Sequence, residues 1–126
     1  MKTSIALIAC LLATTALAPL PVTAQDMAMT AGNNVKVLLD NDQVRVLELQ
    51  MPPGASTGMH SHGDNVVYFV TAGEATQTAA DGSKTTAQRK VGETLWSGPV
   101  THDTQNTGKA TVRTLVIELK GSATPP

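Results

Sequence analysis

Short runs of apolar and β-branched residues, each closed by a turn signal, fill residues 35–120. In residues 44–49 the alternation puts Arg45, Leu47 and Leu49 on one face, and Pro52-Pro53-Gly54 ends the run. Residues 66–71 are almost continuously apolar, which is typical of a strand covered on both faces. Because no helical stripe interrupts this pattern, the sequence predicts an all-β sandwich or barrel.

Two further strand pairs are predicted from their turns. Asp81-Gly82 is a strong signal for a two-residue hairpin between residues 74–80 and 84–90. Residues 102–107 and 111–119 are interpreted as a last pair of strands, joined at Gly108-Lys109. About 100 residues give enough buried surface for one domain, so we expect a single domain over residues 35–120.

Residues 1–24 have the pattern of a secretory signal peptide. Lys2 supplies a positive start, residues 5–17 are mostly apolar, and Val22-Thr23-Ala24 places small residues before a cleavage point at Gln25. The apolar run is shorter than the roughly 20 residues of a spanning helix. We therefore expect a periplasmic or secreted protein of bacterial type.

Cys10 is the one cysteine of the sequence and lies inside this apolar run. The run continues past it, so we interpret Cys10 as part of the signal rather than a lipidation site, and no stable membrane anchor is expected. Residues 25–34 are expected to be a flexible lead-in, and residues 121–126 a tail. Eight basic against ten acidic residues after position 24, without a basic cluster, argue against nucleic-acid binding.

The three histidines of the chain are the main chemical signal. His60 and His62 are two residues apart, so on a strand both imidazoles point to the same face. His102 comes 40 residues later, where another strand can bring it alongside. Neutral imidazole binds Fe, Zn, Mn, Ni and Cu. Three imidazoles that leave coordination positions of the metal open suit a catalytic zinc or a redox metal. The spacing alone is equally compatible with a polar pair on the protein surface.

The residues around the histidines resemble the two motifs of the cupin superfamily. Gly54 is followed after five residues by His60-Ser61-His62, and Gly73 stands at the closing glycine of the first motif. In the second motif, Gly92 precedes a turn and His102 is followed after three residues by Asn106. The resemblance covers roughly residues 44–119. It implies a cupin-type double-stranded β-helix, a jelly-roll barrel, with the three histidines as ligands of one divalent metal.

The sequence departs from the family pattern at the fourth ligand. The motif glutamate is replaced by Val66, and Asn65 is the nearest polar side chain. The resemblance therefore implies a three-histidine centre that is open to water or to an anionic ligand. The run from residue 58 to 68 is also loosely similar to small bacterial cupins associated with β-alanine degradation.

The resemblance implies a small molecule at the open metal positions and pairing as a homodimer. Metal-dependent oxygenase or isomerase chemistry is compatible with such a site, and the alternative is a non-catalytic periplasmic module that binds a small molecule or a metal. No acid–base pair stands out, so no catalytic residue is assigned. Four residues are expected to line the pocket: Met59, Asn65, Tyr68 and Trp96.

Overall fold

The computed structural model describes residues 25–121. A short helix and a turn of 3-10 helix precede nine strands. The helix α1 is Met27–Thr30 and the 3-10 helix is Gly32–Asn34; the strands are β1 Val35–Asp40, β2 Val44–Met51, β3 His60–His62, β4 Asn65–Phe69, β5 Gly73–Ala79, β6 Lys84–Arg89, β7 Thr94–Ser97, β8 Val100–Asn106 and β9 Val112–Leu119. None of the helices in this described part is long and apolar enough to cross a membrane.

The strands form two antiparallel sheets. One has five strands in the order β1-β2-β9-β4-β7, and the other has four in the order β3-β8-β5-β6. Neighbours that are distant in sequence, such as β2 and β9, pair over their whole length. This crossing of the chain between two antiparallel sheets confirms the predicted all-β jelly roll.

The alternation of each strand determines which residues fill the space between the sheets. On β2, the face of Leu47 and Leu49 is buried, and Leu47 is 0% exposed. Arg45 continues the same face at the start of the strand, as the sequence predicted, and is only partly exposed. The buried core is formed by Met27, Ala31, Leu47, Leu49, Met51 and Val116.

The segment of residues 25–34 differs from the flexible lead-in that the sequence predicted. It contains α1, which begins after Asp26, whose carboxylate accepts a hydrogen bond of 2.8 Å from the Ala28 amide. Met27 is 2% exposed and belongs to the core. A helix of one turn is too short to show a periodic pattern, so no feature of the sequence indicated it.

The last two strands, β8 and β9, do not form the predicted pair. β8 lies between β3 and β5, whereas β9 lies between β2 and β4 in the other sheet. The buried Asn106 holds the crossing between them, because its amide donates to the carbonyls of Met51 and Ala110 at 2.7 and 2.8 Å. Its side-chain oxygen accepts from Gly108 at 2.9 Å. A turn signal alone does not distinguish a hairpin from such a crossing.

Gly73, the closing glycine of the first motif, is required by packing and not by backbone conformation. Its φ is not positive, in contrast to Gly54 and Gly92. A Cβ atom at Gly73 would lie 2.1 Å from Cγ2 of Val112, a buried and branched side chain. The glycine therefore allows β5 to pass directly over the start of β9.

We expect Gly73→Ala to lower the free energy of unfolding by roughly 1–3 kcal/mol, the usual cost of overpacking a core. In a Val112→Ala background the same change should cost clearly less, because the clashing methyl group is gone. Gly98→Ala is the control, since its added Cβ would have no contact closer than 3.9 Å. Urea denaturation measures the change in the free energy of unfolding for Gly73→Ala in each background and for Gly98→Ala. An equal cost of Gly73→Ala in both backgrounds would contradict this explanation.

Candidate metal centre

The pairing of β3 with β8 brings the three histidines together. His60 lies directly opposite His102 in the antiparallel register, and His62 follows His60 on the same face of β3. One ring nitrogen from each residue belongs to a group whose atoms all lie within 4.8 Å of one another. His60 is 1% exposed and His62 is also buried. The alternative of a polar surface pair, which the spacing alone left open, does not describe these residues: they form an interior cluster that includes the third histidine.

The tautomer of His60 follows from its backbone partner. Its Nδ1 lies 2.7 Å from the carbonyl oxygen of Gly58. A carbonyl oxygen can only accept, so Nδ1 carries the hydrogen and donates it. In the neutral ring, Nε2 is then left with a free lone pair that points into the cluster.

The tautomer of His62 is determined in the same way by a carboxylate. Its Nδ1 lies 2.7 Å from Oε1 of Glu118. Burial raises the pKa of Glu118, but hydrogen bonds from His62 and Arg45 outweigh it and hold the pKa below its usual value. Glu118 is therefore ionised at neutral pH and accepts the hydrogen of Nδ1. In the neutral form of His62, Nε2 then carries the lone pair, as in His60.

The two Nε2 nitrogens face each other. Nε2 of His60 and Nε2 of His62 are 2.8 Å apart. Two nitrogen lone pairs at this distance repel each other unless a cation lies between them, either a metal ion or a proton. Because both rings are held by their Nδ1 atoms, they cannot turn away without losing those hydrogen bonds. This donor set fits a metal ion, for which neutral imidazole is a common ligand.

Burial keeps His60 and His102 in the neutral form that binds metals. Burial is the main cause that lowers the pKa of His102, and together with the neighbouring His60 and His62 it brings this pKa to about 4. Burial also lowers the pKa of His60, against the effect of the Gly58 carbonyl. At neutral pH the rings of His60 and His102 are consequently uncharged before any cation arrives.

A cavity of about 270 Å³ extends from the histidines into the barrel. Its walls are mainly apolar, with amides and hydroxyls from Asn65, Gln77, Thr104 and Asn106 among them. No aspartate or glutamate of the described residues lines it, and Arg89 is its one lysine or arginine. Arg89 bonds Glu93 at 2.8 Å, and its guanidinium lies 5.9 Å from the centre of the Phe69 ring.

Two of the four residues predicted to line the pocket do so. Asn65 is buried in the cavity wall, and Trp96 borders the cavity while 64% exposed, which places it at the mouth. The prediction was wrong for Tyr68 and Met59, which are absent from the lining. The period of two explains Tyr68: Asn65, Val67 and Phe69 of β4 face the cavity, so Tyr68 faces away and is 39% exposed.

Met59 immediately precedes His60, so the same alternation turns it away from the cavity. Val66, which replaces the motif glutamate, alternates with Asn65 and Val67 and is likewise not part of the lining. The position that faces the cavity at this point of β4 is Asn65, whose amide donates to the Gly63 carbonyl at 2.9 Å.

Sequence reasoning missed three charged residues that adjoin the histidines. Glu118 contacts His62, Arg45 Nε donates to Glu118 Oε2 at 2.6 Å, and Asp26 pairs with the other two nitrogens of Arg45. The signal for two of them was present, because Arg45 shares a face with Leu47 and Leu49, and Glu118 shares one with Val116. A charged residue on a buried face needs a partner, and here the partners are one another.

In metal-free protein prepared with a chelator, we expect the free energy of unfolding to decrease as the pH falls from about 6.5 towards 4. The unfolded chain takes up a proton at the ordinary histidine pKa, whereas folded His102 resists it until about 4. This residue contributes up to about 3 kcal/mol, since one pKa unit corresponds to about 1.4 kcal/mol. Urea denaturation of the wild type and of His102→Gln should show a flatter profile for the variant; identical profiles would count against the assignment.

Comparison with solved structures gives the family. A cupin domain from Bordetella pertussis is 31% identical, with a TM-score of 0.65 over 69% of this chain and 92% of the other. An RmlC-like cupin family protein from Methanocaldococcus jannaschii, with a double-stranded β-helix fold, is 17% identical (TM-score 0.57, 68% and 78% covered). A cupin superfamily protein from Desulfitobacterium hafniense is 20% identical (TM-score 0.55, 84% and 94% covered).

No protein-family model matches the sequence, and no curated protein sequence does. The two structures below 25% identity show the shared fold alone, whereas the Bordetella domain also shares almost a third of its residues with this chain. The predicted similarity to cupins associated with β-alanine degradation stays a prediction. The chain passes between two antiparallel sheets, carries its histidines on β3 and β8, and belongs to the cupin superfamily.

Proposed function

We propose that the protein binds one divalent metal ion through His60, His62 and His102, and a small molecule in the adjoining cavity. The observation that carries this proposal is the convergence of the three imidazoles, with Nε2 of His60 and Nε2 of His62 2.8 Å apart. Their Nδ1 atoms bond Gly58 and Glu118, so the Nε2 atoms of the neutral rings are the ones that can bind a metal ion between them.

Three neutral imidazoles would suit Fe, Zn, Mn, Ni or Cu and leave coordination positions open. When bound, such an ion would supply Lewis-acid or redox chemistry at those positions. The chain itself would orient the imidazoles through Gly58 and Glu118 and surround the open positions with mainly apolar walls.

The charge of the cavity supports an anionic small molecule as the occupant. Three neutral imidazoles place no negative charge among the ligands of the ion itself, and no aspartate or glutamate among the described lining residues faces it from the cavity. Arg89 adds a cationic group to the same cavity. Its guanidinium also forms an ion pair with Glu93, which is not part of the lining. A carboxylate or another oxyanion would balance this charge and fill the open positions of the ion.

Oxygenase or isomerase chemistry on such a ligand is the enzymatic form of this proposal. The alternative is a non-catalytic module that holds the metal or the small molecule. The absence of a carboxylate from the described cavity lining favours this alternative, because only the imidazoles then remain for proton transfer. A broad screen of small organic acids with the metal-loaded protein distinguishes the two alternatives, because turnover of any of them would show that the protein is an enzyme. The homodimer implied by the resemblance stays a prediction.

Purified wild-type protein should bind one equivalent of a divalent metal, tested with each of the five candidates by calorimetry and by metal analysis. His60→Ala/His62→Ala should lose this binding, because it removes two of the three ligands. Gln105→Ala, an exposed position on β8, serves as the control that keeps it. Circular dichroism checks that each variant is folded. Equal, near-zero metal in the wild type and in the histidine variant would refute the site.

We also propose export to the periplasm or the medium, on the strength of the signal-peptide pattern in residues 1–24, which lie outside the described residues. In a bacterial host the full-length gene product should appear in the periplasmic fraction or the medium. Mass spectrometry should show a chain that begins at Gln25. A chain that retains Met1 and stays in the cytoplasm would contradict this proposal.

A further inference from the structure

Glu118 lies beside the candidate centre but outside the cavity. Its Oε1 is 2.7 Å from Nδ1 of His62, on the opposite side of the ring from the Nε2 that points at His60. It is not a member of the group of atoms that could hold the ion directly. This carboxylate would therefore act on a bound metal through its contact with the imidazole of His62 and not as a ligand.

The carboxylate of Glu118 is fixed from both sides. One oxygen accepts from His62 and the other from Nε of Arg45 at 2.6 Å. Arg45 is itself held by Asp26, whose two oxygens accept from its terminal nitrogens at 2.6 and 2.9 Å. Glu118 and Arg45 are mostly shielded from solvent, with side chains 13% and 19% exposed. The group has two carboxylates for one guanidinium, and so a net charge of −1 next to His62.

We propose that Glu118 is a positioning residue that supplies to the metal centre, through His62, the negative charge that this sequence lacks at Val66. This inference rests on the proposed metal binding. A histidine that donates its second nitrogen to a carboxylate is fixed in orientation and is a stronger metal ligand. In this chain the carboxylate comes from β9 of the five-stranded sheet, and not from the first histidine motif.

Glu118 also prevents the site from closing on itself. Without an acceptor at Nδ1, the hydrogen of His62 can move to Nε2 and form a hydrogen bond to Nε2 of His60, 2.8 Å away. That bond would occupy both nitrogens needed for the metal. By holding the hydrogen of the neutral ring at Nδ1, the carboxylate leaves the Nε2 lone pair of His62 available to the metal.

The test compares Glu118→Gln and Glu118→Met with wild type. Glutamine keeps an oxygen that can accept from His62 but loses the charge, and methionine loses both. We expect metal affinity, measured by calorimetry with Zn²⁺ and Ni²⁺, to fall about 10–100-fold in the first and further in the second. Glu48→Gln is the matched control, because Glu48 pairs with Arg113 and makes no contact with the histidines. It should bind metal like the wild type.

The proton position of His62 is a second readout, which a purely structural role of Glu118 would not change. Nitrogen NMR of the metal-free protein at pH 8 should show the hydrogen of His62 on Nδ1 in the wild type and in Glu48→Gln. In Glu118→Met it should move to Nε2. Thermal unfolding of each variant shows whether metal is titrated into folded protein.

The possible outcomes separate this inference from the metal site itself. A wild type that binds no metal overturns both proposals. A wild type that binds one equivalent, together with unchanged affinity in folded Glu118→Gln and Glu118→Met, overturns the role of Glu118 alone. Reduced affinity in these two variants, with unchanged affinity in Glu48→Gln and the expected shift of the His62 hydrogen, supports it.

Discussion

The antiparallel register between β3 and β8 is the constraint on which the candidate centre depends. Three residues of β3 pair with β8, and His60 lies opposite His102. Side chains alternate between the faces of a strand, so a shift of one residue would turn His60 and His62 outwards while His102 stayed inside. The cavity, the tautomers and the contact with Glu118 all presuppose that this register is kept.

Residues outside the histidine motif hold this short strand in place. The Ser61 amide donates to the backbone carbonyl of Gln25 at 3.0 Å, so the first described residue covers the free edge of β3. On the other edge, the hydroxyl of Ser61 meets that of Thr101 on β8 at 2.5 Å. Asp26, next to Gln25, leads through Arg45 to Glu118. The N-terminal segment thus supports both the backbone and the charge of the candidate centre.

The sequence predicted what depends on local periodicity and local turns. Residues 44–49 and the Asp81-Gly82 hairpin could be read from alternation and turn chemistry, and both agree with the structure. The shared face of His60 and His62 followed from the period of two. Tyr68 was misplaced because its run is apolar on both faces, and such a run does not reveal which residues point inwards.

Features that depend on contacts distant in sequence could not be predicted in this way. The pairing of β9 with β2 and β4 depends on which strands meet across the barrel, and the turn at Gly108 carries no signal for it. The contact between Glu118 and His62 joins residues 56 positions apart. The local pattern put Arg45 on a buried face without naming Asp26 as its partner, because the partner lies on a separate segment.

The opposed nitrogens of His60 and His62 have a consequence for the stability of the whole domain. Their repulsion exists only in the folded chain, since unfolding separates the two rings and exposes them to water. An ion that binds between them stabilises the native state without binding the unfolded one equally well. The free energy of unfolding would then rise with the logarithm of the free metal concentration, by about 2.7 kcal/mol at a hundredfold excess over Kd. The melting temperature would rise with it. The supply of metal would in this way determine how long the protein persists, as well as whether its site is loaded.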